Sequence, residues 1–119
     1  MRRTRIISTG RYVPPKVVTN DDISKLVPTT DEWIRERSGI EKRYFVDKEI
    51  GASDLGFEAA KIALQRANLK PSDLDFIIFA TVSPDLYFPG SGCLLQEKLG
   101  VAGIGALDVR NQCSGFIYG

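Results

Sequence analysis

The stretch that decides the fold is Leu107-Asp-Val-Arg-Asn-Gln-Cys-Ser-Gly-Phe-Ile-Tyr-Gly119. The apolar residues Ala106, Leu107 and Val109 predict a short strand that runs into this stretch, and the apolar run Phe116 to Tyr118 predicts the beginning of a helix. Cys113 therefore lies at a strand-to-helix turn, where backbone N–H groups and the helix dipole favour a thiolate over a thiol. Two small residues follow it and leave room for an acyl group. An inert buried cysteine is the alternative.

Length and charge narrow the class of protein. The chain has 119 residues, the size of one domain, and 16 Lys and Arg against 15 Asp and Glu give a formal charge of +1. No basic field therefore argues for a nucleic acid or an anionic membrane as partner. The basic start has only two apolar residues before Ser8, so no signal peptide is indicated, and the longest apolar run is too short to span a bilayer. We expect a cytoplasmic protein.

The cysteines and the absence of histidine limit the chemistry. Cys93 and Cys113 are twenty positions apart without a CxxC motif, and the sequence has no His, so neither a zinc site nor a disulfide framework is indicated. A base for Cys113 must therefore be a carboxylate or come from outside these residues, or Cys113 has no base.

Alternating helices and strands are predicted for the second half of the chain. The clearest helix runs from Ser53 to about Leu69, with small residues in one stripe, and the run Phe76 to Val82 is typical of a strand covered on both faces. A helix around Gly92 to Leu99 and a strand around Ile104 to Val109 follow. This order predicts an α/β layered fold with a parallel sheet, in which Cys113 lies beyond the carboxyl end of a strand, where such sheets place ligands.

Shorter elements are predicted before residue 50, and one of them carries a candidate ligand platform. Trp33 and Arg37 are four positions apart and share a helix face, which suits a planar, phosphorylated ligand. A half-buried tryptophan with the arginine stem packed over it is the alternative. The predicted elements are a strand at Arg5–Ser8, a turn at 10–15, a brief helix capped by Asn20, a second helix capped by Thr29 or Thr30 and ended by Gly39, and an extended segment at 41–46.

In their order and spacing, the motifs resemble those of β-ketoacyl-acyl carrier protein synthase III, a condensing enzyme of the thiolase superfamily. The resemblance implies a thiolase-like layered fold, α/β/α/β/α in the complete enzyme, with a mixed, mostly parallel sheet. Residues 1–119 would form its N-terminal portion. The matching segments are collinear along almost the whole chain: Ile7–Pro14, Thr29–Ile34, Arg37–Ile40, Gly56–Ala60, Phe88–Pro89 and Asp108–Phe116.

The resemblance also implies roles for individual residues. Cys113 would accept an acyl group from acyl-coenzyme A, with acetyl-coenzyme A as the expected donor, and pass it to a carbanion from decarboxylated malonyl-acyl carrier protein. Thr29, Trp33 and Arg37 match coenzyme A contacts, with Trp33 stacking on adenine. Phe88 matches the residue that the partner subunit of a homodimer lends to the acyl pocket. The coenzyme A thioester is a substrate, and no cofactor is expected.

Two departures from the family leave alternatives open. Asn111 and Gln112 stand where the family has small residues, which favours a related cysteine condensing enzyme of polyketide or long-chain acyl metabolism as the second hypothesis. The family's catalytic His and Asn belong to a later half, so we expect this portion to need the remaining C-terminal part and to be inactive alone. A non-catalytic binding module is the third hypothesis. Arg110 is interpreted as surface charge and Cys93 as core filler.

Overall fold

The computed structural model describes residues 3–119, which divide into two compact units. One unit comprises residues 13–49, and the other comprises residues 3–12 together with 50–119. The first unit contains strand β1 (Lys16–Thr19), helix α1 (Asn20–Ser24), helix α2 (Asp31–Ser38) and strand β2 (Lys42–Phe45). Its two strands pair antiparallel, with Lys16 opposite Phe45 and Thr19 opposite Lys42.

Asn20 is the buried centre of the 13–49 unit. Its side-chain amide donates hydrogen bonds to Asp31 Oδ1 at 2.7 Å and to the Ile40 carbonyl at 2.8 Å. Its side-chain carbonyl accepts one from Arg43 Nη2 at 2.6 Å. A buried amide is tolerated only with such partners, so these three bonds fix α1 against the start of α2 and against β2. The bond from Asn20, with a smaller contribution from Arg35, lowers the pKa of Asp31.

The structure corrects the sequence prediction at the start of α1. Thr19 is the N-cap residue, and it forms a reciprocal capping box with Asp22, so the prediction that Asn20 caps this helix is wrong. The four-residue strand β1 was not predicted, because the prolines before it indicated only a turn. The second helix begins as expected: Thr30 Oγ1 accepts the Trp33 N–H at 3.1 Å, and Gly39 ends the helix at φ 70°.

The larger unit has the alternation of helices and strands that the sequence predicts. Strands β3 and β4 pair parallel, with Phe76 opposite Gly105 and Ala80 opposite Val109. The thiol segment therefore leaves β4 at the carboxyl end of a parallel pair. The elements are α3 (Ala52–Ala67), β3 (Phe76–Ala80), α4 (Ser91–Leu99), β4 (Gly105–Val109) and α5 (Gly115–Tyr118), with single 3-10 turns at Pro71–Asp73 and Gln112–Ser114.

The stripe of small residues on α3 allows close packing, as predicted. A Cβ added at Gly56 would come within 2.8 Å of the Phe79 ring, so the helix approaches β3 directly.

Residues 3–12 form no strand, and the prediction of a strand at Arg5–Ser8 is wrong. This segment is held by hydrogen bonds to α3 rather than by a strand ladder: Ser8 Oγ donates to the Ala63 carbonyl at 2.7 Å, and Arg66 Nη1 donates to the Thr9 carbonyl at 3.0 Å.

Strand β3 is covered by the described residues on one face only. Ile77 is buried, whereas Phe76 and Ile78 are about half exposed, so the expectation that this strand is covered on both faces is not met within residues 3–119. Of the helices in this part of the chain, none combines the length and the apolarity needed to cross a membrane.

Two carboxylates hold the N-termini of α3 and α4. Asp108, on β4, accepts the backbone N–H groups of Ser91 at 2.9 Å and Gly92 at 2.7 Å. Asp85 accepts the Ser53 backbone N–H at 3.0 Å, the Ser53 hydroxyl at 3.0 Å and the Ser91 hydroxyl at 2.6 Å. Both serines are fully buried. Negative charge at these positions complements the helix dipoles and satisfies N–H groups that have no partner within the helix.

Acid should weaken the Asp85 cluster. Partial burial alone would raise the pKa of Asp85, but hydrogen bonds from Ser91 and Ser53 outweigh it and lower the pKa below its ordinary value of 3.8. A carboxyl with a lowered folded pKa contributes stability above its unfolded pKa and loses it as the pH falls through the folded pKa. We expect Asp85→Asn to lower the urea midpoint at neutral pH and to reduce the loss of stability below pH 3.8.

Asp75→Asn is the matched control, because Asp75 is an exposed carboxylate without a hydrogen-bond partner in residues 3–119. Equal acid sensitivity of the Asp85→Asn and Asp75→Asn proteins in urea titrations would contradict this assignment.

Candidate active site

Cys113 is an exposed free thiol at the turn between β4 and α5. The predicted strand-to-helix location is therefore confirmed, and within residues 3–119 the Cys113 side chain is not buried. The Ser114 N–H donates to the Asn111 carbonyl at 3.1 Å and closes the 3-10 turn. Gly115 is buried, and a Cβ there would lie 3.4 Å from the Ala80 side chain, so the segment after the thiol starts against the end of β3.

Gln112, the residue immediately before the thiol, has an uncommon backbone conformation. Its φ is 42°, within the left-handed region that side-chain-bearing residues rarely occupy. Such a conformation is held only when the surrounding structure determines it, and it is most frequent at functional sites. The backbone therefore turns sharply at the residue directly before Cys113.

Phe88 lies in the loop between β3 and α4, and 90% of its surface is exposed. The preceding residue, Tyr87, is held by Arg110, which follows β4 directly. Arg110 Nη2 donates to the Tyr87 carbonyl at 2.8 Å, and the guanidinium lies 4.9 Å from the centre of the Tyr87 ring. Arg110 is exposed, as its interpretation as surface charge expects, and its side chain in addition contacts the backbone of the loop that carries Phe88.

In the 13–49 unit, Thr29 and Trp33 line one cavity of about 260 Å³ together with Pro28 and Thr30. Trp33 leaves 57% of its surface exposed. Thr29 Oγ1 is buried and, within residues 3–119, has no hydrogen-bond partner. An unsatisfied buried hydroxyl is costly, and a ligand that supplies a partner would relieve that cost.

Arg37 shares helix α2 with Trp33, as predicted from their spacing. No cation–π contact joins the two side chains. Arg35 on the same helix is occupied by Asp31 and Glu41, each at 2.7 Å, whereas the exposed Arg37 has neither an ion pair nor a hydrogen bond within residues 3–119. Arg37 is therefore the guanidinium of α2 that is available to an anionic ligand.

The predicted site residues fall in both units. Thr29, Trp33 and Arg37 belong to the 13–49 unit, and Phe88 and Cys113 belong to the other. Among residues 3–119, no three His, Cys, Asp or Glu side chains gather into a group that could hold a metal ion.

The chain is closely similar to known condensing enzymes. No family model matches it. It is 51% identical over 114 residues to the curated β-ketoacyl-acyl carrier protein synthase III of Xylella fastidiosa, a match that covers 96% of this chain and 35% of that protein. The resemblance to β-ketoacyl-acyl carrier protein synthase III is confirmed. The chain spans about a third of the length of the curated relatives it matches.

Solved structures of synthase III enzymes agree with this result. The crystal structure of 3-oxoacyl-acyl carrier protein synthase III from Aquifex aeolicus is 46% identical, with a TM-score of 0.91, and the match covers 98% of this chain and 37% of that one. The priming β-ketosynthase of the R1128 polyketide pathway is 26% identical with a TM-score of 0.89, and the match covers 96% and 34%. The thiolase-like α/β fold, represented here by its N-terminal part, is likewise confirmed.

Sequence reasoning missed the residues that hold the Cys113 and Phe88 segments in place. Asp85, Ser91 and Asp108 form one hydrogen-bonded cluster, yet Asp85 and Ser53 are 32 positions apart and Asp108 and Ser91 are 17 apart. One signal was present: Asp108 stands alone between apolar residues in a strand, and such a carboxylate needs donors. Gly90 and Gly92 let the backbone donors approach, because a Cβ at either glycine would come within 2.9 Å of the Asp108 carboxylate.

Removal of the Asp108 carboxylate should loosen α4. We expect Asp108→Ala to lower the free energy of unfolding by about 2–4 kcal/mol, because two charge-assisted hydrogen bonds at a mostly buried carboxylate are lost. Asp108→Asn should have a smaller effect, since the amide oxygen still accepts. Urea titration measures both. The control is Asp73→Ala, whose exposed carboxylate accepts a single backbone N–H, from Lys70. Equal losses for Asp108→Ala and Asp73→Ala would contradict the assignment.

Proposed function

We propose that the protein containing this chain is a β-ketoacyl-acyl carrier protein synthase III and that Cys113 is its acyl acceptor. The observation that carries the proposal is an exposed thiol at a strand-to-helix turn, in a chain that is half identical to that enzyme. The Cys113 thiolate attacks the thioester carbon of an acyl-coenzyme A, acetyl-coenzyme A foremost. A new carbon–sulfur bond forms, the thioester bond to coenzyme A breaks, and coenzyme A leaves as its thiolate.

The second half-reaction consumes the acyl-enzyme. Loss of carbon dioxide from malonyl-acyl carrier protein leaves a carbanion, which attacks the acyl carbon and releases the Cys113 thiolate. This condensation initiates fatty acid synthesis in the cytoplasm and needs no cofactor. The resemblance assigns the groups that polarise the thioester and stabilise the carbanion to a His and an Asn in the later part of the family's enzymes. The present chain supplies the nucleophile.

The coenzyme A contacts are proposed for the 13–49 unit. The exposed Trp33 ring offers a face for adenine, and the unpaired Arg37 guanidinium suits a phosphate. Thr29 Oγ1, buried without a partner in the described part of the chain, is positioned to exchange a hydrogen bond with the bound ligand. These three features support the assignment of this face to the acyl donor.

Phe88 supports a homodimer as the functional form. A phenylalanine with 90% of its surface in solvent gains apolar burial if it enters a pocket on a second copy. The resemblance assigns it to the acyl pocket of the partner subunit, and a two-fold dimer would place one such residue in each pocket.

A related condensing enzyme that takes longer or polyketide-type acyl groups is the second candidate. Asn111 and Gln112 replace small residues directly before the nucleophile, and Gln112 adopts a left-handed conformation. The similarity to a priming β-ketosynthase of polyketide synthesis supports this alternative.

Acyl transfer to Cys113 is tested by labelling. We expect radiolabelled acetyl-coenzyme A to label the complete protein, and Cys113→Ser to abolish turnover and thioester labelling. Cys93→Ser is the matched control and should label normally, because Cys93 is a partly buried residue of α4. Equal labelling or condensation by the Cys113→Ser protein would refute the proposal.

Substrate chain length separates the two candidates. Initial rates with acetyl-, butyryl- and octanoyl-coenzyme A should show a preference for acetyl if the enzyme initiates ordinary fatty acid synthesis. A preference for the longer donors would count against acetyl priming. If the Gln112→Ala protein retained that preference, Gln112 would not be the residue that determines it.

A further inference from the structure

The loop between β3 and α4, which carries two exposed aromatic residues, is contacted by Asp108 of β4 and by Arg110 directly beyond that strand. Tyr87 and Phe88 leave 80% and 90% of their surfaces exposed. On the upstream side, Arg110 donates to the Tyr87 carbonyl, and on the downstream side Asp108 accepts the Ser91 and Gly92 N–H groups. An exposed aromatic pair on a loop would ordinarily be mobile, whereas these contacts restrain it.

The Arg110 contact restrains the loop in two ways. One guanidinium nitrogen donates a 2.8 Å hydrogen bond to the Tyr87 carbonyl, and the central carbon of the guanidinium lies 4.9 Å from the centre of the Tyr87 ring. The hydrogen bond fixes the backbone, and the stacking fixes the side chain. A guanidinium suits both roles, because it carries several N–H donors in a fixed geometry and its charge is attracted to an aromatic face. The Arg110 side chain is 34% exposed and Tyr87 is 80% exposed, so the contact lies at the protein surface.

Asp108 joins the two restraints. Its carboxylate lies 3.9 Å from the Arg110 guanidinium while it accepts the first N–H groups of α4. Asp108 and Arg110 thus define where Phe88 lies. Arg110 binds the residue before Phe88, and Asp108 binds the helix that begins three residues after it. The same segment continues to Cys113.

We propose that Arg110 is a positioning residue that fixes Phe88 through Tyr87 and thereby sets the acyl chain-length selectivity of the enzyme. This inference rests on the proposed function, in which Phe88 closes an acyl pocket. Without Arg110, the loop would sample more positions, Phe88 would no longer define the depth of the pocket, and longer acyl groups would be accepted. Attack by Cys113 on a short acyl group needs no such limit and would change less.

The test uses the complete protein with Arg110→Ala and measures kcat/KM for acetyl-coenzyme A and for hexanoyl-coenzyme A. We expect the ratio of hexanoyl to acetyl kcat/KM to rise by about tenfold, the order of effect of one lost charge-assisted hydrogen bond. Arg110→Lys should restore part of the selectivity, because an ammonium can donate to the Tyr87 carbonyl but cannot stack as a planar group. Tyr87→Leu should shift the ratio in the same direction by removing the ring.

Arg66→Ala is the matched control. Arg66 also donates to a backbone carbonyl of an irregular segment, at 3.0 Å, but that carbonyl belongs to Thr9. We expect its selectivity ratio to equal that of the unaltered protein. Hydrogen exchange gives a readout that does not depend on activity: the amides of residues 86–88 should exchange faster in Arg110→Ala than in Arg66→Ala.

The outcomes separate this inference from the proposed function. Acylation of Cys113 with the same selectivity ratio and the same loop exchange in Arg110→Ala and Arg66→Ala would overturn the role of Arg110 and leave the proposed function intact. Absence of acylation in the unaltered protein would overturn both. An equal loss of kcat/KM with both donors in Arg110→Ala would show an effect on the nucleophile rather than on selectivity, and would also overturn the role.

Discussion

Two carboxylates at helix N-termini organise the larger unit. Asp85 binds the start of α3 and the Ser91 hydroxyl, and Asp108 binds the first N–H groups of α4. Because each interaction joins residues far apart in the chain, the pair fixes α3, α4 and β4 relative to one another. Buried polar groups of this kind specify one arrangement, since any shift leaves a charge or a donor unsatisfied.

The functional segment inherits its order from that arrangement. Strand β4 carries Asp108 in its interior, Arg110 lies directly beyond its end, and Cys113 follows at the next turn. Asp108 ties β4 to the start of α4, and β4 also pairs with β3. The strand that leads to the exposed thiol is therefore held in place. In the 13–49 unit, Asn20 has the same structural role. Its three hydrogen bonds hold the start of α2, the helix that carries Trp33 and Arg37.

Local patterns predicted most of the fold, and contacts distant in sequence explain what was missed. Helix α3 and strands β3 and β4 follow from apolar periodicity, and the thiol turn follows from the polar break between two apolar runs. Strand β1 was missed because the prolines before it indicated only a turn, and Arg5–Ser8 was assigned to a strand although the Ser8 side chain bonds to α3 instead. The contacts of Asp108 and of Arg110 with the 86–92 segment depend on tertiary structure and leave almost no local signal.

The central claim is that the thiol at the β4–α5 turn, and not the second cysteine, receives the acyl group. Peptide mass mapping of the complete protein after brief exposure to unlabelled acetyl-coenzyme A tests it directly, because the chain's second cysteine is an internal control for the first. We expect an acetyl thioester on the peptide that contains Cys113 and an unmodified peptide that contains Cys93. An acetyl group on Cys93, or on neither cysteine, would contradict it.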